Sequence, residues 1–316
     1  MKALRVRDQG AHLDEVSIPS ASAEALVRVL KSGICNTDLE IVRGYAGFNG
    51  TIGHEFVGVV ELCDDARHLV GKRVVGEINA GCGRCDLCQA GDSRHCPNRT
   101  VLGIHGRDGA HAEFLTLPSR NLIEVPKEVS DETAVFAEPL AAADGIWEQV
   151  AIEPDTRIAV IGDGKLGLLC AMTARLRSDF VTLLGKHPEK LAIADKLGVE
   201  TILLGDKHEP NFDVVVEASG SESGFSTALD LVRPRGKVVL KSTFHGSPAW
   251  DAARVVVDEI SIIGSRCGRL APAVELLASN KVSVVDLISE LQPLENGVVA
   301  LERARERGVL KILLSP

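Results

Sequence analysis

Aromatic residues are scarce in this chain: 8 Phe, 2 Trp and 1 Tyr among 316 residues. A core built from so few rings must be aliphatic. An aromatic cage or a stacking platform for nucleic-acid bases is excluded for the same reason. An excess of basic charge is also missing. The 35 Lys and Arg are outnumbered by 44 Asp and Glu, for a net charge of −9, which argues against a general nucleic-acid binder. No apolar run approaches the roughly 18 residues that a membrane span needs. The opening MKALRVRDQG lacks the apolar core of a signal peptide. These absences lead to the expectation of a soluble, cytoplasmic protein with no nucleic-acid or membrane partner. With 45% hydrophobic and 25% charged residues, the composition is that of a globular chain. Its length suggests about two domains of roughly 150 residues.

Cysteine is present in an informative pattern. Of eight, Cys82, Cys85, Cys88 and Cys96 crowd into GCGRCDLCQAGDSRHC. A short loop punctuated by glycine brings four thiols together without burying apolar surface. Zn²⁺ prefers four such soft ligands in a tetrahedron, and a closed set of four leaves no position for chemistry, so the loop reads as a structural zinc site. Cys63, Cys170 and Cys267 lie among apolar or small residues and read as inert core thiols. Cys35 differs. It follows the β-like run ALVRVLKSGI, and the next strand-like run, HEFVGVVEL, begins at His54.

The first part of the chain alternates short strand-like runs (ALVRVL, HEFVGVVEL, KRVVGEI, HAEFLTLP, NLIEVP) with turns, as a partly barrel-like β domain would. Near residue 140 the pattern changes to buried apolar strands alternating with amphipathic helices, the signature of a doubly wound parallel sheet. There IAVIGDGKLG carries Gly162, Gly164 and Gly167 in G-x-G-x-x-G spacing, after a strand and opening a helix. Gly162 permits the tight turn, Gly164 lets backbone approach a pyrophosphate, and Gly167 lets helix and strand pack closely. Lys165 and Leu166 lie within the same loop, and the helix start offers free N–H groups to phosphate. Asp163 would repel a pyrophosphate and is expected to point away. NAD-binding units usually end the second strand in a carboxylate for the ribose 2′-hydroxyl. Here the strand FVTLL ends in Gly185, Lys186 and His187, with no carboxylate until Glu189. A small residue followed by cationic donors suits a 2′-phosphate, so NADP is expected over NAD.

Taken together, GICNTDLE, Gly53-His54-Glu55, the four-cysteine loop, AEPLA at 137–141 and GDGKLG resemble the zinc-containing alcohol dehydrogenases of the medium-chain dehydrogenase/reductase family. The resemblance extends over nearly the whole chain. It implies an α/β architecture: a GroES-like, partly β-barrel catalytic domain from 1–139 and 267–316, and a Rossmann doubly wound parallel-sheet dinucleotide-binding domain over 140–266. It further implies a catalytic zinc on Cys35, His54 and Glu138, with Glu55 beside it as a supporting or exchanging carboxylate. Thr37 would occupy the hydroxyl position of a proton relay, Asp38 would stand behind the metal, and Glu40 would take the outer relay position. The Glu138-Pro139-Leu140 form resembles the polyol and sugar dehydrogenase branch, and residues 185–188 resemble NADP-using relatives.

Two zincs per chain, NADP, and a secondary alcohol, polyol or sugar-derived hydroxyl as substrate follow as expectations. Hydride would leave a zinc-bound alkoxide for the nicotinamide. A zinc-free quinone or enoyl reductase, and a non-catalytic cofactor-binding or thiol-sensing protein, are the alternatives. Arg43, Tyr45 and Phe48 are candidate pocket residues, and Arg266 is a candidate cofactor contact. A homodimer or homotetramer formed through strand edges such as EISIIGS is also expected.

Overall fold

The structure is a computed structural model. It describes all residues except 9, 22–23, 207–210 and 243–249. Along the chain, the first segment contributes strands β1 (Lys2–Arg7), β2 (Gly10–Glu15), β3 (Ala25–Gly33), β4 (Gly50–Thr51), β5 (Glu55–Leu62), β6 (Arg73–Gly76), β7 (Asn79–Ala80), β8 (Thr100–Val101), β9 (Phe114–Leu117) and β10 (Leu122–Glu124). The middle segment contributes β11 (Ile158–Ile161), β12 (Val181–Gly185), β13 (Glu200–Leu203), β14 (Phe212–Glu217), β15 (Val232–Leu240) and β16 (Ser261–Gly264). The last segment adds β17 (Ile288–Pro293) and β18 (Lys311–Ser315). The chain divides into two compact units, residues 1–138 with 270–316, and residues 139–269.

The discontinuous unit is built on a mainly antiparallel sheet in the order β10-β6-β5-β3-β18-β17, with β9 also paired to β3. A small sheet, β2-β1-β4, and the β7-β8 pair complete it. Its two apolar clusters are aliphatic: one gathers Val27, Val60, Val74 and Leu117, and the other gathers Leu4, Ile34, Ile41 and Leu314. This is the GroES-like architecture.

The continuous unit is a six-stranded parallel sheet in the order β13-β12-β11-β14-β15-β16. That order reverses beside β11, as in Rossmann sheets, and ligands bind at such a switch point. All four residues of β11, Ile-Ala-Val-Ile, are buried, because helices cover both faces of a parallel sheet. The helix after β14 covers Glu222–Leu231. Pro234 disfavours helical backbone at the preceding residue, and β15 starts at Val232 instead. Cys63 and Cys170 are buried as expected of core thiols, but Cys267 is only half-buried. It lies in the irregular stretch 265–269.

Candidate functional site

Helix α1 (Asn36–Val42) begins directly after β3, and this junction places Cys35, Thr37 and Asp38. Asp38 folds back on the helix start, where its Oδ2 accepts the Cys35 N–H at 2.8 Å and its Oδ1 the Gly53 N–H at 3.1 Å. One side chain thereby fixes both segments. Gly53 has φ +97°, and a Cβ there would lie 2.7 Å from the His111 backbone nitrogen; only glycine permits this turn into His54.

The Cys35 thiol, the His54 ring and the Glu55 carboxylate each offer a ligand atom, all within 4.8 Å of one another. His54 and Glu55 are buried. Glu55 Oε1 has no hydrogen-bond partner. A buried carboxylate oxygen without a donor, beside a thiol and an imidazole, is what a divalent ion would satisfy, so these residues fit zinc. Glu138 stands outside that close group, in the first turn of the helix Ala137–Asp144. It nevertheless feels the group electrostatically. Burial pushes its carboxyl up to about 7, opposed by the charge of His54 and reinforced by Glu55 and Glu77.

Behind the cluster lie groups that the sequence reading did not single out. Lys311, wholly buried, donates from Nζ to Glu55 Oε2 and, at 3.3 Å, to the Ile34 carbonyl. Burial lowers the lysine's pKa, but the charges of Glu55 and Cys35 outweigh it and hold the ammonium above its ordinary value. Gly33 makes room for this pair, because a Cβ there would lie 2.5 Å from Glu55 Oε2. His54 Nδ1 stands 3.5 Å from Asp38 Oδ1, and His111 Nε2 stands 3.4 Å from Asp38 Oδ2. The other His111 nitrogen bonds to Ser32 Oγ at 2.8 Å. Burial would raise the Asp38 carboxyl, yet the two imidazoles hold it well below the usual range. Burial likewise would lower His54, while Asp38 and Cys35 raise it well above its ordinary value. Lys311 and His111 sit in strand-like runs, where the only signal would have been a charged or imidazole side chain inside a segment expected to be buried.

Thr37 is half-buried, with Oγ1 3.8 Å from Cys35 Sγ. Glu40 carries an ion pair to Arg43 at 2.8 Å. Tyr45 is exposed, whereas Phe48 packs on the Leu4–Ile34 cluster. Arg266 is exposed, and its carbonyl accepts from Lys241 Nζ at 2.8 Å.

The second cysteine group, Cys82, Cys85, Cys88 and Cys96, also brings its ligand atoms within 4.8 Å of one another. Backbone N–H groups of Arg84 and Cys85 lower the Cys82 thiol to about 6, and burial pushes Cys88 up to about 11. Four thiols turned inward on one point fit a closed zinc site.

In the continuous unit, Gly162 has φ +114° at the end of β11, and a Cβ at Gly167 would lie 1.8 Å from the Gly162 carbonyl oxygen. Gly164 has nothing within 4 Å of the position its Cβ would take. It begins the helix Lys165–Arg175, whose first turn has no side-chain cap. An open approach to uncapped N–H groups fits a pyrophosphate. The Asp163 carboxylate is directed at the β12 turn, where Oδ2 accepts the N–H groups of Lys186 and His187 at 2.6 and 2.7 Å. Burial would raise it, but His187 and these N–H groups hold it below its ordinary value.

Residues 21–127 match the family model for the alcohol dehydrogenase GroES-like domain, and 166–280 match that for zinc-binding dehydrogenases. An L-threonine 3-dehydrogenase from Chelativorans sp. is 31% identical over 74% of this chain and 73% of its own. A sorbitol dehydrogenase from Halalkalibacterium halodurans is 27% identical over 92% and 91%. A zinc-binding dehydrogenase from Sinorhizobium meliloti 1021, solved with NADP, superposes with a TM-score of 0.89 at 28% identity, covering 100% of this chain and 99% of that one. Set beside the thiol–imidazole–carboxylate cluster, these matches remove the non-catalytic alternative: the chain is an oxidoreductase and belongs to the zinc-containing alcohol and polyol dehydrogenase family of the medium-chain dehydrogenases/reductases.

Proposed function

We propose that the protein transfers hydride between a nicotinamide dinucleotide and a secondary hydroxyl of a polyol or sugar-derived substrate. The observation that carries the reading is the convergence of half-buried Cys35 with buried His54 and Glu55, with Asp38 and Lys311 holding it from behind. Cys35, His54 and Glu138 would hold the catalytic zinc, which supplies Lewis acidity toward the substrate oxygen. The cysteines at 82, 85, 88 and 96 would hold a second, structural zinc.

Each residue then has a task that its surroundings support. Asp38 orients His54 and keeps a negative charge behind it. Lys311 donates to Glu55 Oε2, which anchors one oxygen of the buried carboxylate and leaves Oε1 to turn toward the metal. Thr37, next to the Cys35 thiol, would accept and pass on the substrate proton. Glu40, held by Arg43, could take that proton onward only by leaving its ion pair. The discontinuous unit would carry the chemistry. In the continuous unit, Gly162, Gly164, Lys165, Leu166 and Gly167 would hold the dinucleotide.

The sorbitol dehydrogenase relative supports a polyol substrate. Two nucleotide readings have support: the Gly185-Lys186-His187 turn and the NADP-bound relative favour NADP, whereas the position of Asp163 favours NAD. A homodimer or homotetramer would form through β16, the edge strand of its sheet, where Ile262 is 38% exposed. No helix among the described residues is long and apolar enough to cross a membrane.

Zinc content measured on the wild type beside His54→Ala tests the site. Two zincs falling to one is the expected result. One zinc in both proteins would remove the catalytic metal and the mechanism with it.

A further inference from the structure

The second strand of this dinucleotide unit ends in Gly185 and so has no carboxylate of its own. The structure nevertheless puts one there. Asp163, from inside the glycine loop, fills the space beside the strand end. A Cβ built on Gly185 would lie 2.6 Å from both Cβ and Oδ2 of Asp163. Glycine at 185 and aspartate at 163 are therefore complementary: any larger residue at 185 would displace the carboxylate.

The bonding of this carboxylate is asymmetric. Oδ2 accepts the Lys186 and His187 N–H groups at 2.6 and 2.7 Å and lies 3.0 Å from His187 Nδ1. Oδ1 has the same ring nitrogen at 3.1 Å. That nitrogen carries at most one proton, shared between the two oxygens, so Oδ1 retains acceptor capacity. Asp163 is 7% exposed, held by two backbone N–H groups and by the His187 ring.

We propose that Asp163 replaces the absent strand-end carboxylate: its Oδ1 accepts the adenosine ribose 2′-hydroxyl, and its charge opposes a 2′-phosphate, so the protein selects NAD(H) over NADP(H). The proposal rests on the dehydrogenase reading above. The two cations that favour the opposite choice are weakened by the same geometry. The His187 ring is engaged by Asp163, and the Lys186 side chain is exposed, where water screens its charge. A 2′-phosphate would bring two negative charges against a fixed third.

Calorimetric binding of NADH and of NADPH, without substrate, tests the assignment independently of turnover. The wild type is expected to bind NADH roughly tenfold or more tightly than NADPH, the size of a lost charge-assisted hydrogen bond. Asp163→Asn should reduce that ratio by roughly tenfold. His187→Gln keeps the carboxylate and its backbone bonds, so it should keep the NADH preference even if Asp163→Asn fails to fold. Tighter NADPH binding by the wild type would overturn the proposal, as would an unchanged ratio in folded Asp163→Asn or a lost preference in His187→Gln. Binding of neither nucleotide would overturn the dehydrogenase reading as well, which separates the two failures.

Discussion

Replacing Glu138 by Gln should have opposite effects with and without metal. The carboxyl ordinarily titrates at 4.5 and here titrates at about 7, chiefly because it is buried. Between those values the folded protein binds a proton that the unfolded chain has lost. Stability therefore falls as pH rises through this window, and the full penalty is present above pH 7. At 1.36 kcal/mol for each tenfold change, the ceiling is about 3 kcal/mol. The residue is partly reached by solvent, so we expect a gain of about 1–3 kcal/mol for metal-free Glu138→Gln at pH 8 and almost none near pH 4. With zinc present the sign reverses, because the amide is a poor ligand, and zinc affinity should fall at least roughly tenfold. Tryptophan fluorescence would report the wrong unit, since Trp147 and Trp250 both lie within residues 139–269. Hydrogen exchange of β3 and β5 amides in chelator-treated protein, at both pH values, reads the unit that matters. If metal-free Glu138→Gln proves no more stable than wild type at pH 8, burial does not govern this carboxyl and the argument fails.

Two further changes follow from the packing. Lys311→Met removes the partner of the buried Glu55 carboxylate; thermal unfolding should show a loss of about 3–5 kcal/mol, much of it recovered in the Glu55→Gln, Lys311→Met double variant. Gly167→Ala sets a methyl group 1.8 Å from the Gly162 carbonyl oxygen, so the helix must move off the strand. That should cost about 1–3 kcal/mol and abolish calorimetric binding of both NADH and NADPH, whereas unaltered binding would show that the close approach is dispensable.

What could be read from the sequence was what repeats or clusters locally. The apolar run of β11, its glycines and the helix after them lie within one short segment, so periodicity and turn chemistry agree. The four cysteines of the loop lie within 15 residues of one another. The partners of the active cluster could not be read this way. Lys311 opens a short apolar strand and reads as a solvated strand end, and its carboxylate partner is 256 positions away. His111 opens the run HAEFLTLP, and nothing local says that its ring reaches Asp38. Asp163 was expected to avoid the phosphates; where its carboxylate would go depended on the backbone of the β12 turn, which no pattern of side chains encodes. In each case the missing information was a long-range pairing.

The sheet that carries the cluster is closed late in synthesis. β3 pairs with β5 and β9 from the first segment, but β18 joins it only after the whole inserted unit has been made. Until then β3 has an open stretch of backbone, a template for pairing with another chain, and Glu55 has no lysine. A ribosome-bound chain can complete the continuous parallel sheet while the discontinuous unit still waits for its last strand. Such non-local closure is slow. Folding of this protein should thus be limited by the return of β18, and zinc that reaches Cys35 and His54 beforehand would bind to a half-made site.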